Sequence, residues 1–317
     1  MLLTGCASSP AGKASEEERQ SSFFCFDTAC AIGGIMAQEL LDAAVERCQW
    51  FEQTLSRTIA TSDVARINAA GGEAVDVEPE TATLLELALA YCTESDGLFD
   101  ITIGAVSSLW DFHEGVVPEA ERLAEAVTHV DYHALQVDGQ QVSLTDPKAM
   151  LDLGGIAKGY VADVLVDELA AAGVSSAYVN LGGNVKVLGT KPDGSAWRVG
   201  VRDPKPEAEG ESSIARVELT GGSVVTSGLY ERQFERDGQR YWHILDPRTG
   251  YPVKSDLVSA TIVSERSIDG DGYTKPLFMM DRTGIGAWAR EHPELKLLLI
   301  DAAGTYEMHP EASFELL

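Results

Sequence analysis

Apolar residues along the chain follow first a strand-like and then a helical spacing. Residues 22–35 are predicted to form a strand that runs into a turn, and residues 36–55 repeat apolar positions with the period of a helix. A second helix is predicted from Pro79 up to Gly97, since proline is favoured in the first helical turn and glycine just beyond the last. A short helix is predicted at residues 123–130, and a hairpin around an Asp-Gly pair at residues 137–142.

The middle of the chain predicts a strand, a glycine turn, a helix and a further strand. A strand that begins at Leu151 leads into a helix at residues 156–172, which Gly173 ends before a strand at residues 177–181. Short strands joined by Gly-rich turns follow, and such short connections predict antiparallel pairing. These strands are expected at residues 185–188, 197–201, 214–219, 223–227, 232–236 and 241–245.

Two helices and two strands complete the predicted pattern. Residues 258–264 and 295–301 are predicted strands, and residues 269–280 and 282–291 are predicted helices. Strands joined by short turns and helices gathered in separate stretches are typical of the α+β class. The fold class predicted from the pattern is therefore α+β.

Composition and charge exclude several classes of protein. The 317 residues are 44% hydrophobic, enough for one large or about two ordinary domains. No apolar run is long enough to cross a membrane. The formal charge, 24 − 50 = −26, repels phosphate backbones and anionic lipid headgroups, so we expect no nucleic-acid partner. An anionic ligand must therefore be held by locally placed donors.

The N-terminus resembles a bacterial lipobox, Leu3-Thr4-Gly5-Cys6, followed by a polar stretch. Only Met1-Leu2-Leu3 remains of the basic and apolar regions of a secretory signal, so we expect that the printed start is truncated. The motif predicts a lipid on Cys6, a tether over residues 1–20 and a folded domain over residues 21–317, outside the cytoplasm and anchored to the membrane. The alternative is a chance Gly-Cys pair in a disordered terminus.

Four further cysteines show neither zinc nor redox spacing. Cys25, Cys30, Cys48 and Cys92 form no C-x-x-C pair, which favours buried thiols. Cys25 and Cys30 would face opposite sides of a single strand, so we expect no bridge between them.

Four Gly-rich segments, at residues 152–160, 180–184, 226–228 and 246–250, are the candidate chemistry of the chain. In the first, glycines precede a predicted helix N-terminus, where unpaired N–H groups favour an anion, and Lys158 adds a positive charge. This arrangement predicts a nucleotide site. Each segment alone is also typical of an ordinary turn, but their co-occurrence favours the site.

Together these segments resemble the ApbE family of FAD:protein FMN transferases. The most specific matches are Asp-Leu-Gly-Gly-Ile-Ala-Lys-Gly-Tyr at residues 152–160 and His-Ile-Leu-Asp-Pro-Arg-Thr-Gly at residues 243–250, and the resemblance runs from about Phe26 to Phe278. It implies antiparallel sheets with packed helices in two intimately joined lobes, with FAD in the groove between them. It also implies cleavage of the FAD pyrophosphate, release of AMP and attachment of FMN through a phosphodiester to a Thr or Ser. The implied acceptor is a protein of an extracytoplasmic electron-transport or reductase system.

The resemblance assigns FAD contacts to nine positions of this chain. Phe26 and Thr58 stand where the family often has Met and Tyr, so one stacking surface differs. His243 matches the candidate base, whose ordinary pKa of about 6.5 suits proton transfer near neutral pH. The alternative is a structural histidine paired across a strand. The implied contacts are Phe26, Thr58, Leu98, Phe99, Asp100, Asp152, Lys158, His243 and Ile244.

The resemblance also implies a Mg²⁺ site, at which this sequence departs from the family. Asp271 and Gly155 match two ligand positions, but Lys275 replaces the threonine whose hydroxyl would be a third. Either Thr274 supplies that hydroxyl after a register shift, or the Lys275 ammonium occupies the cation position and pairs with Asp271. His243, Asp271 and Lys275 are therefore the candidate catalytic residues. Lys275 also leaves open an FAD pyrophosphatase that releases FMN and AMP, or a non-catalytic FAD-binding lipoprotein.

Overall fold

The structure, a computed structural model, describes residues 17–204, 213–311 and 313–317. The predicted lipid-bearing Cys6 and most of the predicted tether lie outside these residues. The first strand already begins at Glu17. Residues 17–20, which we assigned to the tether, are therefore part of the folded sheet, because they pair with the neighbouring strand.

Sixteen strands and eight α-helices form the described part of the chain. The strands are β1 (Glu17–Cys25), β2 (Thr28–Met36), β3 (Val75–Asp76), β4 (Leu135–Asp138), β5 (Gln141–Leu144), β6 (Ala177–Leu181), β7 (Asn184–Leu188), β8 (Trp197–Arg202), β9 (Ser213–Leu219), β10 (Gly221–Gly228), β11 (Gln233–Arg236), β12 (Gln239–Trp242), β13 (Leu257–Ser264), β14 (Lys296–Asp301), β15 (Tyr306–His309) and β16 (Glu315–Leu316). The helices are α1 (Gln38–Leu55), α2 (Asp63–Ala69), α3 (Pro79–Glu94), α4 (Gly104–Ser107), α5 (Ala120–Val127), α6 (Ala157–Ala171), α7 (Ser267–Leu277) and α8 (Arg282–Glu291).

One eight-stranded sheet runs through both halves of the molecule, in the order β1-β2-β6-β7-β10-β13-β14-β15. Every neighbouring pair in it is antiparallel. The β7–β10 pair joins the first four strands to the last four, so the two lobes meet within the sheet itself. The predicted α+β class with antiparallel sheets is confirmed.

Helices cover this sheet and form its hydrophobic cores. The largest core lies between β1, β2 and β6 and the helices α1, α3 and α6, with the fully buried Phe51 and Leu84 among its members. A second core buries α7 and α8 against β13 and β14, around Phe278 and Ile285. A third lies under the small β8–β9–β16 sheet and includes Leu298. α7 belongs to the second core but also packs against α6, which places it where the two halves meet.

Three predicted elements differ from those observed. The stretch predicted as one strand is the hairpin β1–β2, whose turn residues Phe26 and Asp27 adopt φ of 54° and 56°. The strand predicted at Leu151 is absent, and only an isolated parallel bridge joins Ile103 to Met150. β12 ends at Trp242, so His243 lies just beyond a strand. Apolar spacing alone shows neither where a strand ends nor where the chain reverses, which explains these differences.

No helix in the described ranges is both long enough and apolar enough to cross a membrane. The four cysteines there are free and buried, as predicted. Cys25 and Cys48 lie with their Sγ atoms 3.8 Å apart, and Cys30 directs its thiol to the carbonyl of Cys25.

Candidate active site

Asp271 lies on α7 where that helix crosses α6, and the crossing is close because Gly159 of α6 has no side chain. A Cβ on Gly159 would lie 2.7 Å from the Cα of Ile268. The N–H of Gly159 donates to Asp271 Oδ2 at 2.7 Å, and Asn184 Nδ2 donates to the same oxygen at 2.9 Å. The carboxylate is 2% exposed, and these two donors offset its loss of water. Asn184 was not among the predicted site residues, although it ends one of the Gly-rich segments.

The Lys275 ammonium lies against the other oxygen of Asp271. Its Nζ donates to Asp271 Oδ1 at 2.9 Å and to the main-chain oxygen of Asp271 at 3.0 Å, one helical turn earlier. Its Cε lies 3.9 Å from the position of a Cβ on Gly155. Burial lowers the pKa of Lys275 below the ordinary value of a lysine, while Asp271 opposes the shift. The predicted contact between Lys275 and Asp271 is confirmed.

Thr274 faces away from this ion pair. Its side chain is fully buried, and its hydroxyl lies 2.8 Å from the hydroxyl of Ser227 on β10. The register shift that would bring Thr274 to Asp271 is therefore not present, because α7 places adjacent residues about 100° apart.

The residues around Asp271 do not fit a Mg²⁺ ion. Both carboxylate oxygens already accept hydrogen bonds, and the third family position presents the ammonium of Lys275. Mg²⁺ requires oxygen ligands in near-octahedral geometry, and an ammonium repels it. The residues around Asp271 therefore fit the ammonium of Lys275 at this position and do not fit a metal ion.

Lys158 adds a second positive charge next to this ion pair. It stands in the first turn of α6, is partly exposed and makes no hydrogen bond or ion pair within the described residues. Its charge lowers the pKa of Lys275 and of His243, so the three groups lie within electrostatic reach of one another. An unpaired ammonium in an acidic protein is suited to an anionic ligand.

His243 follows β12, and its imidazole has no hydrogen-bond partner among the residues that the structure describes. Its main-chain N–H donates to the Arg232 carbonyl at 3.1 Å, but its Nδ1 is buried without a hydrogen bond within the described ranges. Burial, followed by the charges of Arg232 and Lys275, lowers the pKa of His243 to about 4. The imidazole is therefore neutral at pH 7 and free to accept a proton.

Asp152 holds an arginine that sequence reasoning missed. Its Oδ2 lies 3.1 Å from Arg57 Nε and accepts the Ser107 hydroxyl at 2.6 Å, while its Oδ1 accepts the Gly154 N–H at 2.9 Å. Arg57 precedes the exposed Thr58, one of the implied FAD contacts. That neighbouring position was the only signal in the sequence that pointed to this cation.

Of the remaining implied contacts, some lie near the ion pair of Lys275 and Asp271 and others lie away from it. Phe99 lies near it, since its Cε2 is 3.2 Å from the position of a Cβ on Gly155, and the adjacent Leu98 is partly exposed. Phe26 occupies the β1–β2 turn, where its N–H donates to Glu52 Oε1 at 2.6 Å.

Asp100 and Ile244 serve the scaffold in this structure. Asp100 accepts the N–H and hydroxyl of Thr102 and the N–H of Tyr132, and burial raises the pKa of Asp100. Ile244 is 4% exposed and belongs to the core beneath α7. Phe99 and Lys275 thus lie beside Gly155, and Lys275 is bonded to Asp271. Lys158 and His243 lie within electrostatic reach of Lys275.

Comparison with known proteins gives consistent similarities over most of the chain. The sequence profile of the ApbE family matches residues 26–299. The FAD:protein FMN transferase of Treponema pallidum is 38% identical over 267 residues, which cover 78% of this chain and 73% of that protein. A protein of the same name from Klebsiella pneumoniae is 42% identical over 233 residues, covering 72% of this chain and 71% of the relative.

Solved structures show the same similarity in three dimensions. The ApbE protein of Thermotoga maritima is 32% identical, with a TM-score of 0.83, over 92% of this chain and 96% of the other. The flavinyl transferase ApbE of Pseudomonas stutzeri is 28% identical, with a TM-score of 0.80, over 92% and 94% of the two chains.

Proposed function

Because the chain belongs to the ApbE family, we propose that it is an FAD:protein FMN transferase, which moves FMN from FAD to a hydroxyl of an acceptor protein. The relatives reported above bear this name. Their names favour transfer over the two alternatives, hydrolysis of FAD and binding without catalysis.

One observation supports the proposal most directly, namely a neutral imidazole next to two ammonium groups. Lys158 and Lys275 supply positive charge for a pyrophosphate, and the same charges lower the pKa of His243. An imidazole that is neutral at pH 7 can accept the proton of a hydroxyl, and its pKa near 4 makes it a weaker base than an ordinary histidine.

The reaction breaks one phosphoanhydride bond and forms one phosphodiester. The acceptor hydroxyl oxygen attacks the FMN phosphorus, the bridging P–O bond breaks, and AMP leaves with the bonding electron pair. His243 accepts the hydroxyl proton on its imidazole, while Lys158 and Lys275 neutralise charge on the phosphate oxygens. Alignment of the attacking and leaving oxygens supplies most of the remaining acceleration.

We further propose that Lys275 takes the place of Mg²⁺ in this chain. Its ammonium lies 2.9 Å from Asp271 Oδ1, and the family's metal ligands match Asp271 and Gly155. Asp271 then acts as a positioning residue that holds the ammonium toward the pyrophosphate.

The location of the protein is a separate proposal, supported by the lipobox alone. We propose that Cys6 is lipidated and that the acceptor is an extracytoplasmic electron-transport or reductase protein. In cells fed a labelled fatty acid, the wild type is expected to be labelled in the membrane fraction and Cys6→Ala to be unlabelled. Label retained by Cys6→Ala would contradict the proposal.

Co-expression with a candidate acceptor, an extracytoplasmic reductase subunit with a Thr-containing flavinylation segment, tests the main proposal. We expect an acceptor band that fluoresces under ultraviolet light in a denaturing gel. When the two purified proteins are incubated with FAD, we also expect AMP to be released. Release of AMP and free FMN without a fluorescent band indicates a pyrophosphatase, and FAD that stays intact indicates a binding protein.

A further inference from the structure

Strand β12 has one open edge, and that edge borders a cavity of about 540 Å³. Among the described strands, β12 pairs with β11 alone, in a two-stranded sheet. His243 N–H donates to the Arg232 carbonyl, so alternate residues of β12 direct their main-chain groups at β11. Arg240 and Trp242 consequently direct their N–H and C=O groups to the open edge, where no partner occurs within the described residues.

The chain itself shows how this edge accepts a strand. Directly beyond β12, the Val253 N–H donates to the Ile244 carbonyl at 2.9 Å, and Leu245 bridges Pro252 in antiparallel fashion. These bonds lie on the same edge, because even-numbered residues there face away from β11. Beyond Val253 the segment makes no further main-chain hydrogen bond to β12 among the described residues, which leaves the edge of Arg240 and Trp242 open beside the cavity.

The cavity is lined by positive charge, although the whole chain has a net charge of −26. Its lining includes Arg240, Arg248 and Lys254, against a single carboxylate, Asp246. Arg248 forms a two-bonded ion pair with Asp246, at 2.9 and 2.7 Å. Arg240 and Lys254 are exposed and make no ion pair within the described part of the chain. The groove therefore favours a negatively charged occupant.

We propose that this groove, bounded by β12 and residues 246–254, binds an extended acidic segment of the acceptor protein as an added β-strand. The main-chain groups of Arg240 and Trp242 would pair with the segment, and Arg240 and Lys254 would contact its carboxylates. Trp242, which lines the groove, directly precedes His243 in the chain, so a strand bound there would bring a Ser or Thr hydroxyl toward the base. This inference rests on the proposed function, and it adds the surface by which the acceptor is recognised.

Charge reversal in the groove tests the electrostatic part. In the double variant Arg240→Glu, Lys254→Glu, we expect the KM for the unmodified acceptor protein to rise about tenfold or more, with kcat and the Kd of FAD nearly unchanged. Lys296→Glu, which reverses one charge rather than two, is the control for charge reversal outside the groove, since Lys296 is exposed on β14 and absent from the groove lining. An unchanged KM overturns the proposal, and a raised Kd of FAD assigns the groove to the nucleotide instead.

A proline substitution tests whether the acceptor segment pairs with main-chain groups of β12. Arg240→Pro removes the outward N–H without removing a bond to β11, whereas Arg240→Ala removes the side chain alone. We expect a higher KM for the acceptor in the proline variant than in the alanine variant. Equal KM values, with both variants folded by circular dichroism, would exclude strand addition.

A binding assay separates the groove from the reaction. A short fluorescein-labelled peptide of alternating Thr and Glu is expected to bind the wild type, more weakly at high salt, and to lose binding in the double variant. The same peptide with Lys in place of Glu is expected not to bind. If the wild type binds the acidic peptide but flavinylates no acceptor, the transferase proposal is wrong, while the proposed binding of an acidic strand in the groove is supported. If the wild type and the double variant bind the peptide equally, the proposed binding in the groove is wrong.

Discussion

At the residue scale, the site depends on a buried ion pair whose two members need each other. Asp271 is 2% exposed and is bonded by Gly159, Asn184 and Lys275. Removal of one partner from such a pair costs about 3–5 kcal/mol, because the other charge stays buried. The position of Lys275 therefore affects both the stability of the fold and the charge that the site offers to a pyrophosphate.

Replacement of Lys275 tests which cation the site uses. We expect the wild type to transfer FMN in the presence of EDTA, and Lys275→Thr to transfer only with Mg²⁺, since the threonine hydroxyl completes a set of oxygen ligands with Asp271 and Gly155. Lys275→Met is the control, expected to be inactive with or without Mg²⁺. Flavinylation rates in EDTA and in Mg²⁺ measure this, and a wild type inactivated by EDTA would contradict the role of the ammonium.

Removal of the imidazole tests the base. His243→Ala is expected to lower kcat for flavinylation about 10²–10⁴-fold, because the hydroxyl then loses its proton acceptor. The Kd of FAD should change little, since a base acts on the acceptor. Reactions stopped at intervals and analysed on fluorescent denaturing gels measure kcat, and titration with FAD measures the Kd. An unchanged kcat would make His243 a structural residue.

The pH dependence follows from the pKa of His243, which lies near 4. The reaction needs the neutral imidazole, so kcat/KM should stay level as the pH falls from 7 to about 5 and decline only as it approaches 4. Arg232 is one cause of the low pKa, so Arg232→Gln should move this decline to higher pH. A decline near 6.5 in the wild type would show an unperturbed histidine.

The same shift affects stability with a definite sign. Between the ordinary pKa of about 6.5 and the folded value of about 4, only the unfolded chain takes up the proton at His243. The contribution of this group to the free energy of unfolding is therefore present above pH 6.5 and falls as the pH decreases toward 4.

At the element scale, the crossing of α6 and α7 sets the geometry of the site. Gly159 permits the close approach, and its N–H holds Asp271. A Cβ on Gly270 would lie 2.4 Å from Cβ of Val225, so α7 also contacts β10 closely. These glycines are needed for space, since they stand within helices where a side chain would otherwise favour the helix.

Substitution of Gly159 tests this packing. Gly159→Ala is expected to lower the free energy of unfolding by about 1–3 kcal/mol, because its methyl group meets the backbone of α7. The displacement of α7 should also raise the Kd of FAD. Gly221→Ala is the control, since a Cβ there meets nothing within 4 Å. Urea denaturation measures the free energy of unfolding, and FAD titration measures the Kd. Equal stability of the two variants would show that the close packing of α6 and α7 does not depend on Gly159.

At the scale of the whole molecule, negative charge is spread over one continuous sheet and its helices. The net charge of −26 raises the energy of the compact state through repulsion. The clustered cations at Lys158, Lys275 and the β12 groove are local exceptions. These clusters coincide with the two places where an anionic substrate or acceptor is proposed to bind.

Ionic strength tests this balance. Raising NaCl from about 20 mM to about 500 mM should raise Tm, because salt screens the repulsion between exposed carboxylates. Sodium chloride and potassium chloride at equal ionic strength should act alike, which separates screening from ion-specific effects. A Tm that falls or stays constant would show that ion pairs offset the repulsion.

The sequence by itself determined the local elements and the identity of the chemical groups. Periodicity predicted α1, α3, α6 and α8 and most strands of the central sheet, because these patterns depend only on which side chains face a core. The motif with Lys158 and the segment with His243 predicted an anion site in the same way, since their chemistry is local. Phe26 was named, but its place in a tight turn was not predicted.

Only the tertiary structure decided which of these groups meet. Asn184 and Gly159 reach Asp271 from elements 87 and 112 residues away along the chain, and no local pattern encodes such contacts. The choice between Thr274 and Lys275 depended on which face of α7 turns toward α6, and packing against Ser227 fixed it. The open edge of β12 likewise exists because the residues that follow Val253 make no main-chain hydrogen bond to it within the described ranges. Long-range packing selects among locally allowed arrangements, which is the physical reason that the sequence named the residues while the fold set their roles.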